Sequence, residues 1–224
     1  MITNYPRKFS AGSRREFVEF LENLCIDVAP SLKDRTNDQR EFYTFKKAII
    51  LRPSLVPDQL IEVVKGESPD FYLYTESRTI GIEISELRGG NSGKAQALLE
   101  NEDLDIVFVG KRALQNEPVS KAELLREARQ GGEGFIGDEP ERLALRTLET
   151  LIDKKKKCRE AAEWKSADTE YLVIYDNFGF AGCDMEQVTR MAKDRAILSG
   201  FNAVLLLSKD SIIEVSQSIS PESR

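Results

Sequence analysis

Two largely apolar runs, YLVIYD (171–176) and FNAVLLLS (201–208), flank DMEQVTRMAKDRAILSG (184–200), a stretch with helical spacing that Gly200 stops. Apolar runs of this length read as strands covered on both faces, and two such strands joined by a helix run parallel through a right-handed crossover. This unit constrains the rest: the fold class is α/β, with a small mixed central sheet flanked by helices. SIIEVS (211–216) adds an edge strand after it.

The remaining elements follow from spacing and punctuation. At 224 residues the chain suits one domain. Residues 1–66 read as N-terminal helices. Ser13, with Glu16 three residues on, caps a helix carrying Phe17, Phe20, Leu21, Leu24, Cys25 and Val28 on one face. A second helix starts at Asn37 or Asp38 and carries Phe42, Phe45 and Ile49. PDQLIEVVKG (57–66) reads as a short helix, with Pro57 near its start and Gly66 past its end. Residues 67–88 form a hairpin. Residues 89–140 form a variable helical and loop insert in which DIVFV (105–109) admits either strand or helix. Residues 141–216 hold a long helix from about Glu141 to Trp164 and the strand–helix–strand unit.

Composition narrows the chemistry. The chain has no histidine, which excludes serine–histidine and cysteine–histidine catalysis, imidazole bases and His-ligated metals. Cys25, Cys158 and Cys183 are scattered and odd in number, which argues against a thiolate zinc site and for a reducing compartment. Any metal would be a hard cation held by oxygen. MITNYPRKFS lacks the apolar core of a leader, and no run approaches a membrane span, so the expected location is cytoplasmic and no membrane partner is expected. The net charge of −6 gives no global attraction to nucleic acid, and a nucleic-acid partner needs a local basic patch. The densest one is KKKK (154–157), with Arg146 and Arg159 on the same long helix, although such a run is usually a solvated face.

The hairpin concentrates the chemistry. In GESPDFYLYTESRTIGIEISEL (66–87), Ile80, Ile82 and Ile84 alternate with Glu83 and Ser85, so the acid and the serine share the opposite face. Asp70 opens the partner strand, and a turn at TESR brings it back within reach of Glu83. Two carboxylates converging on one sheet face repel unless a proton or a cation lies between them, and Mg²⁺ or Mn²⁺ suits an oxygen-only site. The competing interpretation is a turn aspartate and a solvent-facing strand glutamate. Glu86 falls on the other face, where Arg88 is a ready partner.

Pro69-Asp70, a hairpin, then Glu83-Ile84-Ser85 in an alternating strand resembles the PD-(D/E)XK phosphodiesterase superfamily, which includes restriction endonucleases and repair nucleases. The resemblance implies a restriction-endonuclease-like core of helix–strand–strand–strand–helix–strand. It implies metal-dependent hydrolysis of nucleic acid, DNA foremost, and, where both strands are cut, a homodimer. By resemblance Asp70 and Glu83 are metal ligands, joined by the Ile84 carbonyl and by a glutamate from a preceding helix. Glu41 fits that place, ahead of Glu16 and Glu19, although Asp38-x-x-Glu41 also has capping-box spacing. Ser85 occupies the slot that the family fills with lysine. A lysine displaced to the following helix would restore the charge, and Lys155, inside the apolar stripe of Ala144, Leu148, Leu151 and Ile152, is the candidate, ahead of Lys94. The alternative is a catalytically degenerate nuclease fold that binds a protein or nucleic acid, which the missing strand lysine favours. A third possibility is an unrelated α/β interaction protein whose two acids diverge into solvent.

Overall fold

The apolar runs of the C-terminal third do pair in parallel as interior strands of the sheet, one strand in from an edge, as their composition requires. The computed structural model describes residues 6–26, 36–59, 61–101, 111–114, 118–130, 134–161, 163–178, 182–194, 200–208 and 210–215. Seven strands lie side by side in chain order: β1 (Lys8–Ala11), β2 (Ile61–Lys65), β3 (Phe71–Tyr74), β4 (Thr79–Leu87), β5 (Thr169–Asp176), β6 (Ala203–Leu207) and β7 (Ile212–Glu214). The β4–β5 and β5–β6 pairings are parallel and the other four antiparallel, so the sheet is mixed, mostly antiparallel and larger than the sequence reading expects. The helices are α1 (Arg14–Asn23), α2 (Asn37–Leu51), α3 (Ser92–Asn101), α4 (Lys111–Leu114), α5 (Lys121–Gln130), α6 (Glu139–Arg159) and α7 (Met185–Asp194).

Two expectations for residues 1–66 need correction. PDQLIEVVKG does not form a helix: Ile61–Lys65 is β2, between β1 and β3. Its β-branched residues favour extended backbone, and burying Ile61 and Val63 in alternation satisfies a pleat and not a helix face. Gly66 is not a helix stop but a point of close approach. A Cβ there would lie 2.4 Å from the Pro69 carbonyl oxygen and 2.7 Å from the Tyr72 ring, and its amide donates to the Asp70 carbonyl at 2.7 Å. The long helix also ends at Arg159, short of Trp164. The DIVFV segment and Val28 lie outside the described residues.

Each sheet face has its own core. Ile80, Ile82 and Ile84 of β4, with Val173 and Leu205, pack against Phe17 and Leu21 of α1 and Phe42, Phe45 and Ile49 of α2. Leu172, Ile174, Val204 and Leu206 turn the other way, onto Leu145, Leu148 and Ile152 of α6 and Val188 of α7. Phe71 of β3 stacks on Phe45 at 4.1 Å and meets Phe42 edge-on at 5.0 Å, which pins α2 over the start of the hairpin. Among the described residues no helix is long and apolar enough to cross a membrane.

Glu170 of β5 ties α6 to the sheet from within. It is 1% exposed; Oε1 accepts from Trp164 Nε1 at 2.8 Å and from the Ala167 amide at 3.1 Å, and Oε2 takes Arg159. Glu170→Ala strands a buried indole N–H and a half-buried guanidinium, and should lower unfolding free energy by about 3 kcal/mol. Glu170→Gln, which keeps an acceptor for Trp164, should lose less. Urea unfolding followed by fluorescence of Trp164, the single tryptophan, measures both; equal stability of Glu170→Ala and wild type would show that the network is energetically idle.

Candidate active site

The pleat and the hairpin register bring the two acids together. Phe71 faces Ile82, so Asp70, one residue before β3, lies opposite Glu83. Asp70 Oδ2 accepts the Ile84 amide at 2.7 Å, extending the β3–β4 ladder through a side chain. The turn between them is closed at 75–78, where the Thr75 amide donates to the Arg78 carbonyl at 3.0 Å. Asp70 is 7% and Glu83 4% exposed, so neither is a solvent-facing surface acid.

Lys155 completes the pair. It lies on the inner face of α6, and its ammonium donates to Glu83 Oε1 at 2.5 Å, with the side chain 21% exposed. A half-buried lysine aimed at a buried glutamate accounts for the lysine inside an apolar helix stripe. The second carboxylate oxygen, Glu83 Oε2, is buried and has no hydrogen-bond partner among the described residues.

A third acid and a second lysine stand beside Asp70. Glu41 of α2 receives the Lys65 ammonium at 2.6 Å, and the same ammonium lies 3.6 Å from Asp70 Oδ1. The helix cap that competed for Glu41 falls elsewhere: Thr36 and Gln39 form the capping box, exchanging bonds of 2.8 and 3.2 Å, which leaves Glu41 to the interior side. Lys65 is a site residue that the sequence reading misses, because its segment reads as helix; the sign of it was a lysine ending a run of β-branched residues five positions before Asp70.

The other candidates sort by position. Ser85 is half-buried on the Glu83 face, one pleat along, and a neutral hydroxyl cannot replace a lysine's charge. Glu16 accepts from the Gly12 amide at 2.6 Å and Glu19 pairs with Arg15, so both are engaged on α1. Lys94 is exposed on α3. Glu86 pairs with Arg88 at 2.6 Å and with Arg40 at 3.3 Å on the α2 side, as its parity requires. Beside Lys65 opens a cleft of about 480 Å³, lined also by Gly66, Ser68, Tyr72, Arg7 and Lys165 together with the acids Asp38, Glu67 and Glu163.

Crowding three carboxylates shapes their ionisation. Burial first, then the charges of Glu83 and Glu41, push Asp70 up to about 7, against the lowering influence of the Ile84 amide and Lys65. Burial likewise raises Glu83, opposed by Lys155. Burial pulls the Lys155 ammonium down, but the charge of Glu83 and its hydrogen bond outweigh this, and Lys155 ends above the ordinary lysine value. Only once Asp70 ionises, as pH rises through about 7, do the three carboxylates exceed the two lysines by one negative charge.

A hard divalent cation is the guest such a site should favour. Three observations test the fit. The donor set is all oxygen, Glu83 Oε2 is buried without a partner, and Asp70 Oδ1 has only the long contact to Lys65. Glu41, in contrast, is held at short range by Lys65, and among the described residues no three His, Cys, Asp or Glu side chains are gathered into a ready-made ion cage. Asp70 and Glu83 fit an ion; Glu41 as placed does not. No family model matches the chain, and no curated protein or solved structure is significantly similar to it.

Proposed function

We propose that the chain is a metal-dependent phosphodiesterase of the restriction-endonuclease-like kind, hydrolysing nucleic acid, DNA foremost, with Mg²⁺ or Mn²⁺ on Asp70 and Glu83. The observation that carries this reading is the convergence of two buried acids from a hairpin with Lys155 from a following helix, the lysine taking Glu83 Oε1 and leaving the buried Oε2 without a partner among the described residues. The order α2, β2, β3, β4, α6, β5 supports it, since it follows helix–strand–strand–strand–helix–strand once α3, α4 and α5 are taken as an insert between β4 and α6.

Asp70 and Glu83 would hold the ion, with the Ile84 carbonyl beside them. Bound there, the ion would supply positive charge to a phosphodiester and lower the pKa of an attacking water. Lys155 takes the part that Ser85 cannot: its ammonium, kept charged by Glu83, sets a fixed positive charge where the pentavalent phosphorus gathers negative charge. Lys65 holds Glu41 and the outer edge of Asp70, so the acids keep their separation. Arg7 and Lys165 in the adjoining cleft offer cations to a phosphate backbone, although Asp38, Glu67 and Glu163 oppose them there. Cutting both strands of a duplex with one such site per chain calls for a homodimer.

One observation favours a second reading, a degenerate nuclease fold that binds a protein or nucleic acid without cutting: Lys155 and Lys65 already pair with Glu83 and Glu41. Calorimetric titration of Mn²⁺, with and without a short DNA duplex, separates the two on wild type, Asp70→Ala and Glu83→Ala. Binding by wild type that both substitutions abolish is the expected result. Equal binding by all three proteins, or none even with DNA present, would remove the metal site and leave the binding module.

A further inference from the structure

We infer that Lys65 is a resident cation of the site: its ammonium holds Glu41 and Asp70 where a second divalent ion would otherwise sit, so the chain binds one ion and Glu41 serves Lys65, not the metal. This rests on the reading of Asp70 and Glu83 as ligands. The placement of Lys65 is built from several directions. Its backbone is pinned on both sides, by the Lys65 amide donating to the Arg7 carbonyl at 2.9 Å and by the β2–β3 register that sets Lys65 opposite Phe71. The ammonium reaches Glu41 at 2.6 Å, the Gly66 carbonyl at 3.2 Å and Asp70 Oδ1 at 3.6 Å, and lies 5.0 Å from the centre of the Phe71 ring. The side chain is 11% exposed, so this is a largely covered cation held by Glu41 and the Gly66 carbonyl and not a surface lysine free to swing.

Charge and donor count lead to the same stoichiometry. Above pH 7, where Asp70 has lost its proton, three carboxylates face two ammoniums, which leaves one negative charge in excess. One divalent ion reverses that to one positive charge, the amount a phosphodiester cancels. A second ion would leave a surplus of two positive charges in a buried site, a cost that increases with burial. The unpartnered oxygen belongs to Glu83, away from Lys65, so the vacant ligand position lies on the Asp70–Glu83 side.

Mn²⁺ bound per chain, measured by calorimetry and by electron paramagnetic resonance of free ion, tests the inference without any activity assay. Wild type should bind one ion. Glu41→Gln should still bind one, with affinity reduced by less than about tenfold, because it removes a nearby charge but not a ligand. Lys65→Met should take up a second ion, and Lys65→Arg should not; Trp164 fluorescence confirms that each variant is folded. Two ions in wild type, a tenfold loss of affinity in Glu41→Gln, or a single ion in folded Lys65→Met would each overturn the role of Lys65 and leave the Asp70–Glu83 site standing. No Mn²⁺ on any of the four proteins would instead overturn the metal reading, and this inference with it.

Discussion

Asp70→Asn should abolish Mn²⁺ binding and cleavage and, in the same stroke, make the metal-free protein more stable at pH 8. The sign follows from the direction of the shift. Burial and the neighbouring Glu83 and Glu41 charges push Asp70 up to about 7, so between about pH 4 and pH 7 the folded chain keeps a proton that the unfolded chain has released. This proton favours folding at the acidic end, and the contribution is lost as pH rises through 7, where the folded chain must hold a buried carboxylate. Asparagine retains an oxygen for the Ile84 amide and carries no charge. The gain at pH 8 should be on the order of 2–4 kcal/mol, as a shift of about three units implies, while near pH 4 the two proteins should differ little. Urea unfolding in chelator at pH 4.5, 6.5 and 8 gives the three differences. Parallel stabilities across that range would show that Asp70 titrates as an ordinary aspartate and that its surroundings are wetter than its 7% exposure suggests. Saturating Mn²⁺ should close the gap at pH 8 for wild type alone, since only a protein that binds the ion gains from it.

What the sequence disclosed and what it hid divide along one physical line. Features set by local periodicity were legible. The alternation of Ile80, Ile82 and Ile84 fixed the face of Glu83, and the helical stripe through Leu148 and Ile152 fixed the face of Lys155. A lysine on such a face has few options, so its partner could be sought among buried acids. Features set by competition between weak local preferences were not legible. Residues 57–66 carry a proline and a glycine where a short helix would have them, yet Ile61, Val63 and Val64 gain more from pairing between β1 and β3 than a short helix could return. This tertiary gain is invisible in a window of ten residues, and with β2 went Lys65.

Glu41 shows the same limit from the other side. Asp38-x-x-Glu41 and Thr36-x-x-Gln39 are equally good capping boxes on paper, and the choice rests on where α2 begins. The reciprocal bonds of Thr36 and Gln39 set that start, and packing of Phe42 and Phe45 on Phe71 sets which way the helix faces. Once the cap is Thr36, Glu41 is free of the helix end and meets Lys65. The site thus depends on which cap α2 adopts and on the face it turns to β3, and no spacing rule contains both.

Lys155→Met should separate metal binding from chemistry. Methionine keeps the length and suits the apolar stripe of α6, so packing against Leu148 and Ile152 survives; what is lost is the charge at Glu83. If Lys155 supports charge on the phosphate, single-turnover cleavage should fall by about a hundredfold or more, the usual yield of one fixed charge or acid–base group in a dry site. Mn²⁺ affinity should hold or rise, because Glu83 Oε1 is released to join Oε2 as a donor. The metal-free fold should weaken by about 3 kcal/mol at pH 8, since a buried carboxylate loses its counter-charge, and Mn²⁺ should restore most of it. Cleavage equal to wild type would reduce Lys155 to a strut. Parallel loss of Mn²⁺ affinity and cleavage would mean that it acts only by holding Glu83 in place. A fall in rate with binding intact is the outcome that assigns the displaced lysine to the transition state, and it would explain how a strand with serine at position 85 still supports hydrolysis.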